Sequence, residues 1–295
     1  MTVRTPMFTC QESSHVLPLS RRRALGAILL SLTCRSTRGD DVPRTLKFTV
    51  KDEFGSAPPA NIEALLRSAA DAIWRHCPQT TFLGTGFAVY RNAKYPITHF
   101  QPDKEGRIVI GLSTGDLYWA QYGFQFGHEF CHALLDHTDA RQWHKVEQAN
   151  QWLDESLCET ASLFVLRAMS ESWQTRPPYR NWKDFAPRLA SYAQDRIDQT
   201  AALLPTGTSF AAWFAAELPG LRERWSQRDK NTLIASQLLP LFEADPAGWE
   251  SLPAMRLGTR DARKPLDQHF AEWKTNAPER SRPFIAKIAK VFAVT

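Results

Sequence analysis

At 295 residues and 43% hydrophobic, the chain is long enough for one large or two modest domains, and its 10 Trp and 17 Phe promise an aromatic-rich core. Its formal charge of +5 gathers at the N-terminus, where residues 1–34 carry Arg4, Arg21, Arg22 and Arg23 against Glu12; setting those aside from 36 basic and 31 acidic residues leaves 32 and 30. That near-balance, with no Lys/Arg cluster interleaved with aromatics, excludes an obvious nucleic-acid partner, and no run of 18 or more apolar residues offers a membrane span.

Residues 1–34 read as an export signal. Arg21-Arg22-Arg23 precede Ala24 to Thr33, a short and mostly apolar run. Ser20 to Leu25 also resembles a twin-arginine signal, with Ala24 in place of the usual Phe. The expected location is therefore periplasmic or secreted, in a bacterium. Residues 35–45 read as a polar linker.

Leu46 to Lys51 alternates and predicts a strand. Ile62, Leu65, Leu66, Ala69, Ala70 and Ile73 predict an amphipathic helix over 61–76, with Asn61 available as its cap. Strands are expected at Phe87–Tyr90 and Arg107–Leu112, with an irregular stretch flanked by Pro96 and Pro102 between them. A helix is expected from Leu117 to about Leu135. Gly123 and Gly127 are poor helix formers, so its first turns could separate. A second helix is expected from Val146 to Met169. Beyond 170 only helical stretches appear, near 184–203, 208–225, 229–243 and 263–292. The fold class is thus α+β: residues 46–169 form a small twisted sheet with two long helices, and residues 170–295 form an all-helical region.

The chemistry lies at His128-Glu129-Phe130-Cys131-His132, an H-E-x-x-H pentapeptide. On a helix, residues i and i+4 lie about 40° apart around the axis, so His128 and His132 can grip one metal ion. Glu129 stands about 100° round from His128. There it can hold a water against the ion as a general base. A catalytic zinc takes three protein ligands and keeps one position open. Trp152-Leu153-Asp154-Glu155 supplies the third on the next helix. Glu159, at i+4 from Glu155, falls on the same face, where it can accept a ligand histidine's second ring N–H.

This arrangement resembles the gluzincin metallopeptidases, which pair H-E-x-x-H with a glutamate on a second helix. Trp152 to Glu155 looks like the W-L-N-E segment of the aminopeptidase branch. Glu155-x-x-x-Glu159 is similar to the E-x-x-x-D of the thermolysin branch. The G-x-M-E-N segment of the aminopeptidase branch is absent, so the resemblance is to the gluzincin core, over 46–169. It implies a zinc-dependent hydrolase of peptide bonds with a peptide or protein substrate. His128, His132 and Glu155 would be the metal ligands and Glu159 the orienting carboxylate. Glu129 would be the general base on a zinc-bound water. Ile110, Gly111 and Leu112 would be the strand that pairs with substrate backbone, Gly111 allowing close approach. His144, Tyr179, Tyr192 and His269 are candidates for the oxyanion donor.

Alternatives sit beside this reading. A three-histidine site using His137 lacks the helix-breaking Gly, and His137 is expected on the surface near a helix C-terminus. Cys131 and Cys158 could form one bridge, though small buried thiols are favoured. A non-catalytic protein using a peptidase fold to bind a partner is the competing function. Oligomeric state is not legible.

Overall fold

The computed structural model describes residues 45–51, 53–139 and 150–294. The export signal, nearly all of the linker and His144 lie outside the described residues.

A mixed four-stranded sheet lies beneath the first helices. Its strands are β1 (Phe48–Val50), β2 (Phe87–Arg91), β3 (Ile97–Thr98) and β4 (Ile108–Leu112), in the order β1-β2-β4-β3. β1, β2 and β4 run parallel, while β3 pairs antiparallel with β4 and forms one edge. The sequence pattern anticipates β1, β2 and β4 but not β3. Two residues between prolines are too short a run to show alternation.

Helix α1 (Pro59–Trp74) starts two residues before the predicted Asn61, with Pro59 in its first turn. It is followed by α2 (Trp119–Asp136) and α3 (Gln151–Trp173). A 3₁₀ segment at Arg180–Phe185 leads into α4 (Ala186–Ala201). Then come α5 (Phe210–Glu223) and α6 (Arg228–Ala244). A longer 3₁₀ segment, Pro246–Leu257, precedes α7 (Leu266–Asn276) and α8 (Arg282–Val291). The protein is α+β, with its strands early and helices throughout. No described helix is long and apolar enough to cross a membrane.

Three stripes on α2 organise the core. Phe126 and Phe130 face the sheet, with Phe126 against Phe48 at 5.6 Å and Phe130 against Phe87 at 5.7 Å between ring centroids. Gly123 and Gly127 face α3. A methyl on Gly127 would stand 3.1 Å from the Ser162 Cα, and one on Gly123 3.1 Å from Leu166. The glycines that lower intrinsic helix propensity are thus where the two helices touch, and α2 runs unbroken through them. His128 and His132 form the third stripe, about 200° round from the phenylalanines and so turned away from the sheet.

Helix α3 is buried on most of its circumference, between α1 and α2 on one side and α4 and α6 on the other. Its hydroxyls are satisfied internally. Ser156 donates to the Trp152 carbonyl at 2.7 Å, Thr160 to that of Ser156 at 2.7 Å, and Ser162 across to that of Phe124 at 2.8 Å. Those bonds let a polar-looking sequence sit in a dry core.

Candidate metal centre

The close contact at Gly127 brings the histidine face of α2 against the first turns of α3. Glu155 reaches both rings: one carboxylate oxygen lies 3.4 Å from the His128 Nε2 and the other 3.4 Å from the His132 Nε2. The two imidazole centroids are 5.0 Å apart. Glu159, one turn further along α3, stands behind His128 at 3.7 Å from Nδ1. It is buried, and Arg228 at the start of α6 approaches it to 3.4 Å.

The charges respond to this crowding. Burial alone would lower the pKa of His128 and His132. The carboxylates around them more than offset it, so His128 is raised and His132 is raised to about 9. Glu155 resists the opposite effect of burial, and the two rings hold its pKa well below the usual carboxylate range. Without an ion, protons on the imidazoles balance the Glu155 charge; a divalent cation held there would take their place.

The donor spacing fits a metal. Ligands held tetrahedrally at about 2.1 Å from an ion stand about 3.4 Å from one another. Glu155 has that spacing to each Nε2 through a different oxygen, Oε2 to His128 and Oε1 to His132. Cys158 is also in reach: His128, His132 and Cys158 offer three ligand atoms within 4.8 Å of one another, and this group could hold a metal ion. Cys158 is a free, buried thiol, as are Cys77 and Cys131, so no Cys131–Cys158 bridge is present. Burial, then the neighbouring Cys131, pushes the Cys158 pKa well up.

A cavity of about 700 Å³ opens over these residues. Its floor includes His128, Glu129, His132 and Glu155, and one wall is the stretch Tyr95 to Phe100 around β3. Trp225, Arg228, Arg256 and Arg260 from the helical region also line it. Tyr95, Phe100 and Trp225 are exposed at its sides. That volume lies within the range usual for ligand-binding pockets.

Two expectations are corrected here. Ile110, Gly111 and Leu112 are not placed to receive an added strand. Ile110 and Gly111 pair with Thr98 and Ile97 on one side, and all three pair with β2 on the other. β3 is the edge strand on that side, and Ile97 and Thr98 line the cavity. Gly111 instead makes room for Tyr90, whose ring would lie 2.8 Å from an added Cβ. Likewise His137 is not a surface residue: it is fully buried, with Nε2 2.8 Å from the His99 carbonyl. Among the described oxyanion candidates, Tyr179, Tyr192 and His269 do not line the cavity.

Sequence reasoning missed three groups beside the site. The Thr98 hydroxyl lies 2.8 Å from a Glu129 carboxylate oxygen. Arg256 ion-pairs with Asp136 at the end of α2 and with Asp154 in the first turn of α3. Arg228 meets Glu159. Asp154 and Asp136 neighbour the motifs and could have been suspected. Arg256 is 102 positions from Asp154 and carries no local signal. The chain matches no protein-family model, no curated protein and no solved structure.

Proposed function

We propose that this protein is a zinc-dependent metallopeptidase of the gluzincin type, acting outside the bacterial cytoplasm on a peptide or protein. The observation that carries the reading is the Glu155 carboxylate set between the Nε2 atoms of His128 and His132. His128, His132 and Glu155 would hold the ion, with Glu159 steadying the His128 ring from behind. A zinc bound there supplies Lewis-acid polarisation of a substrate carbonyl and makes water more acidic.

Everything else falls to the chain. Glu129 is buried beside the cavity and takes the proton from the attacking water, then hands it to the leaving amine. Edge strand β3 offers its outer backbone to an extended substrate. Tyr95, Phe100 and Trp225 supply apolar surface along the cavity.

One observation favours a second reading, a non-catalytic binding protein. With Cys158 added to His128, His132 and Glu155, a metal would have four protein ligands and no open position, as in structural sites. The carboxylate supports the catalytic reading better. It is ionised and already between the rings, whereas the thiol must first lose a proton in dry surroundings.

The test is hydrolysis of a mixed peptide library by zinc-loaded protein, with and without chelator, beside Glu129→Gln. The proposal expects cleavage that chelator abolishes and that Glu129→Gln lowers by about 100-fold or more. Cleavage indifferent to both would overturn it.

A further inference from the structure

Edge strand β3 touches the histidine helix through Thr98. Its hydroxyl lies 2.8 Å from a Glu129 carboxylate oxygen and 2.8 Å from the Glu129 backbone oxygen. A hydroxyl has one proton, so it donates to one of these acceptors at a time and can turn between them without moving a heavy atom. Glu129 itself is only 3% exposed, yet it lines the cavity. A glutamate side chain has several rotamers to choose among, and a base must point at its proton donor. Thr98 is itself fixed, because its backbone pairs with Ile110 in the β3–β4 ladder.

We infer that Thr98 is the positioning residue for the base: it anchors one carboxylate oxygen of Glu129 and leaves the other to face the cavity. The inference rests on the peptidase reading for its kinetic consequence, and on the 2.8 Å contact alone for the anchoring. It has a structural corollary. The edge strand that lines the cavity is the same strand that aims the base, so displacement of β3 disturbs both together. Replacing the hydroxyl by a methyl of equal size removes the anchor while keeping a residue that favours a strand.

The experiment compares Thr98→Val and Thr98→Ser in zinc-loaded protein, by crystallography, zinc content and kinetics. In Thr98→Val, the Glu129 carboxylate is expected to leave its place, with zinc content unchanged. Its kcat should fall about 10- to 100-fold at unchanged KM, since a small misplacement of a reacting group has that effect. Thr98→Ser should restore most of the rate and the Glu129 conformation. An undisplaced Glu129 in Thr98→Val, or a Thr98→Ser as impaired as Thr98→Val, would overturn the inference. If the natural protein hydrolyses no peptide, the peptidase reading and the kinetic consequence fall, and the Glu129 conformation still decides the anchoring.

Discussion

Arg256 grips the Asp154 carboxylate with two nitrogens, Nε at 3.0 Å and Nη2 at 2.7 Å. Its third nitrogen pairs with Asp136. One guanidinium from the helical region therefore ties the end of α2 to the beginning of α3, next to His132 and Glu155. All three side chains are largely buried, so removing one partner leaves charge stranded in a dry place.

Arg256→Met should destabilise the fold by about 3–5 kcal/mol, measured by denaturant unfolding. Arg256→Lys keeps the charge but loses the fork, and should fold with zinc affinity weakened by about 10- to 100-fold. Chelator competition gives that affinity. Unchanged affinity in Arg256→Lys would mean that the clamp does not set the spacing of the ligand helices.

Glu155→Gln and Glu159→Gln should separate by their effect on zinc binding. Glu155 lies between both Nε2 atoms, and its replacement should cost more affinity than the about 10- to 100-fold typical of an outer carboxylate. Glu159→Gln should fall within that smaller range. Equal losses, or a larger loss for Glu159, would reverse the two roles.

Cys158→Ala tests the thiol against the carboxylate. Zinc affinity should hold, and cobalt-substituted natural protein should show no thiolate-to-cobalt charge-transfer band. A strong band that disappears in Cys158→Ala would place sulfur on the metal and favour the non-catalytic reading.

Much of the fold was legible because it rests on periodicity. The i, i+4 pairing of His128 with His132 and of Glu155 with Glu159 names two helix faces, and the structure sets those faces against each other. What stayed hidden depends on contacts between distant residues. Thr98 lies in a two-residue strand that no pattern marks. Gly127 reads as a helix weakness until Ser162 is seen against it. His137 follows a helix end, where exposure is the usual outcome, but its ring is drawn in by the His99 carbonyl. Gly111 looks like a substrate contact and is in fact space for Tyr90.

His269 on α7 gives a pH dependence away from the metal centre. Burial, then the charge of Lys264, lowers its pKa to about 4, and its Nε2 meets no hydrogen-bonding partner among the described residues. An unfolded histidine titrates near about 6.5. Between these values the unfolded chain takes up a proton that the folded one refuses, so stability rises with pH through this window. The contribution is complete above about pH 6.5 and is lost as pH falls towards 4, in all on the order of 1–3 kcal/mol. Unfolding of His269→Phe across pH 4–7 should therefore show a flatter dependence than the natural chain. Parallel curves would contradict the assignment.

The central claim is that one cation sits among His128, His132 and Glu155. Anomalous diffraction at the zinc edge, from crystals grown with zinc, locates the ion directly. The account predicts a single strong peak bonded to the Nε2 atoms of both histidines and to a Glu155 oxygen, with at least one position open towards the cavity. A peak elsewhere, or one closed by the Cys158 sulfur in place of Glu155, would contradict it.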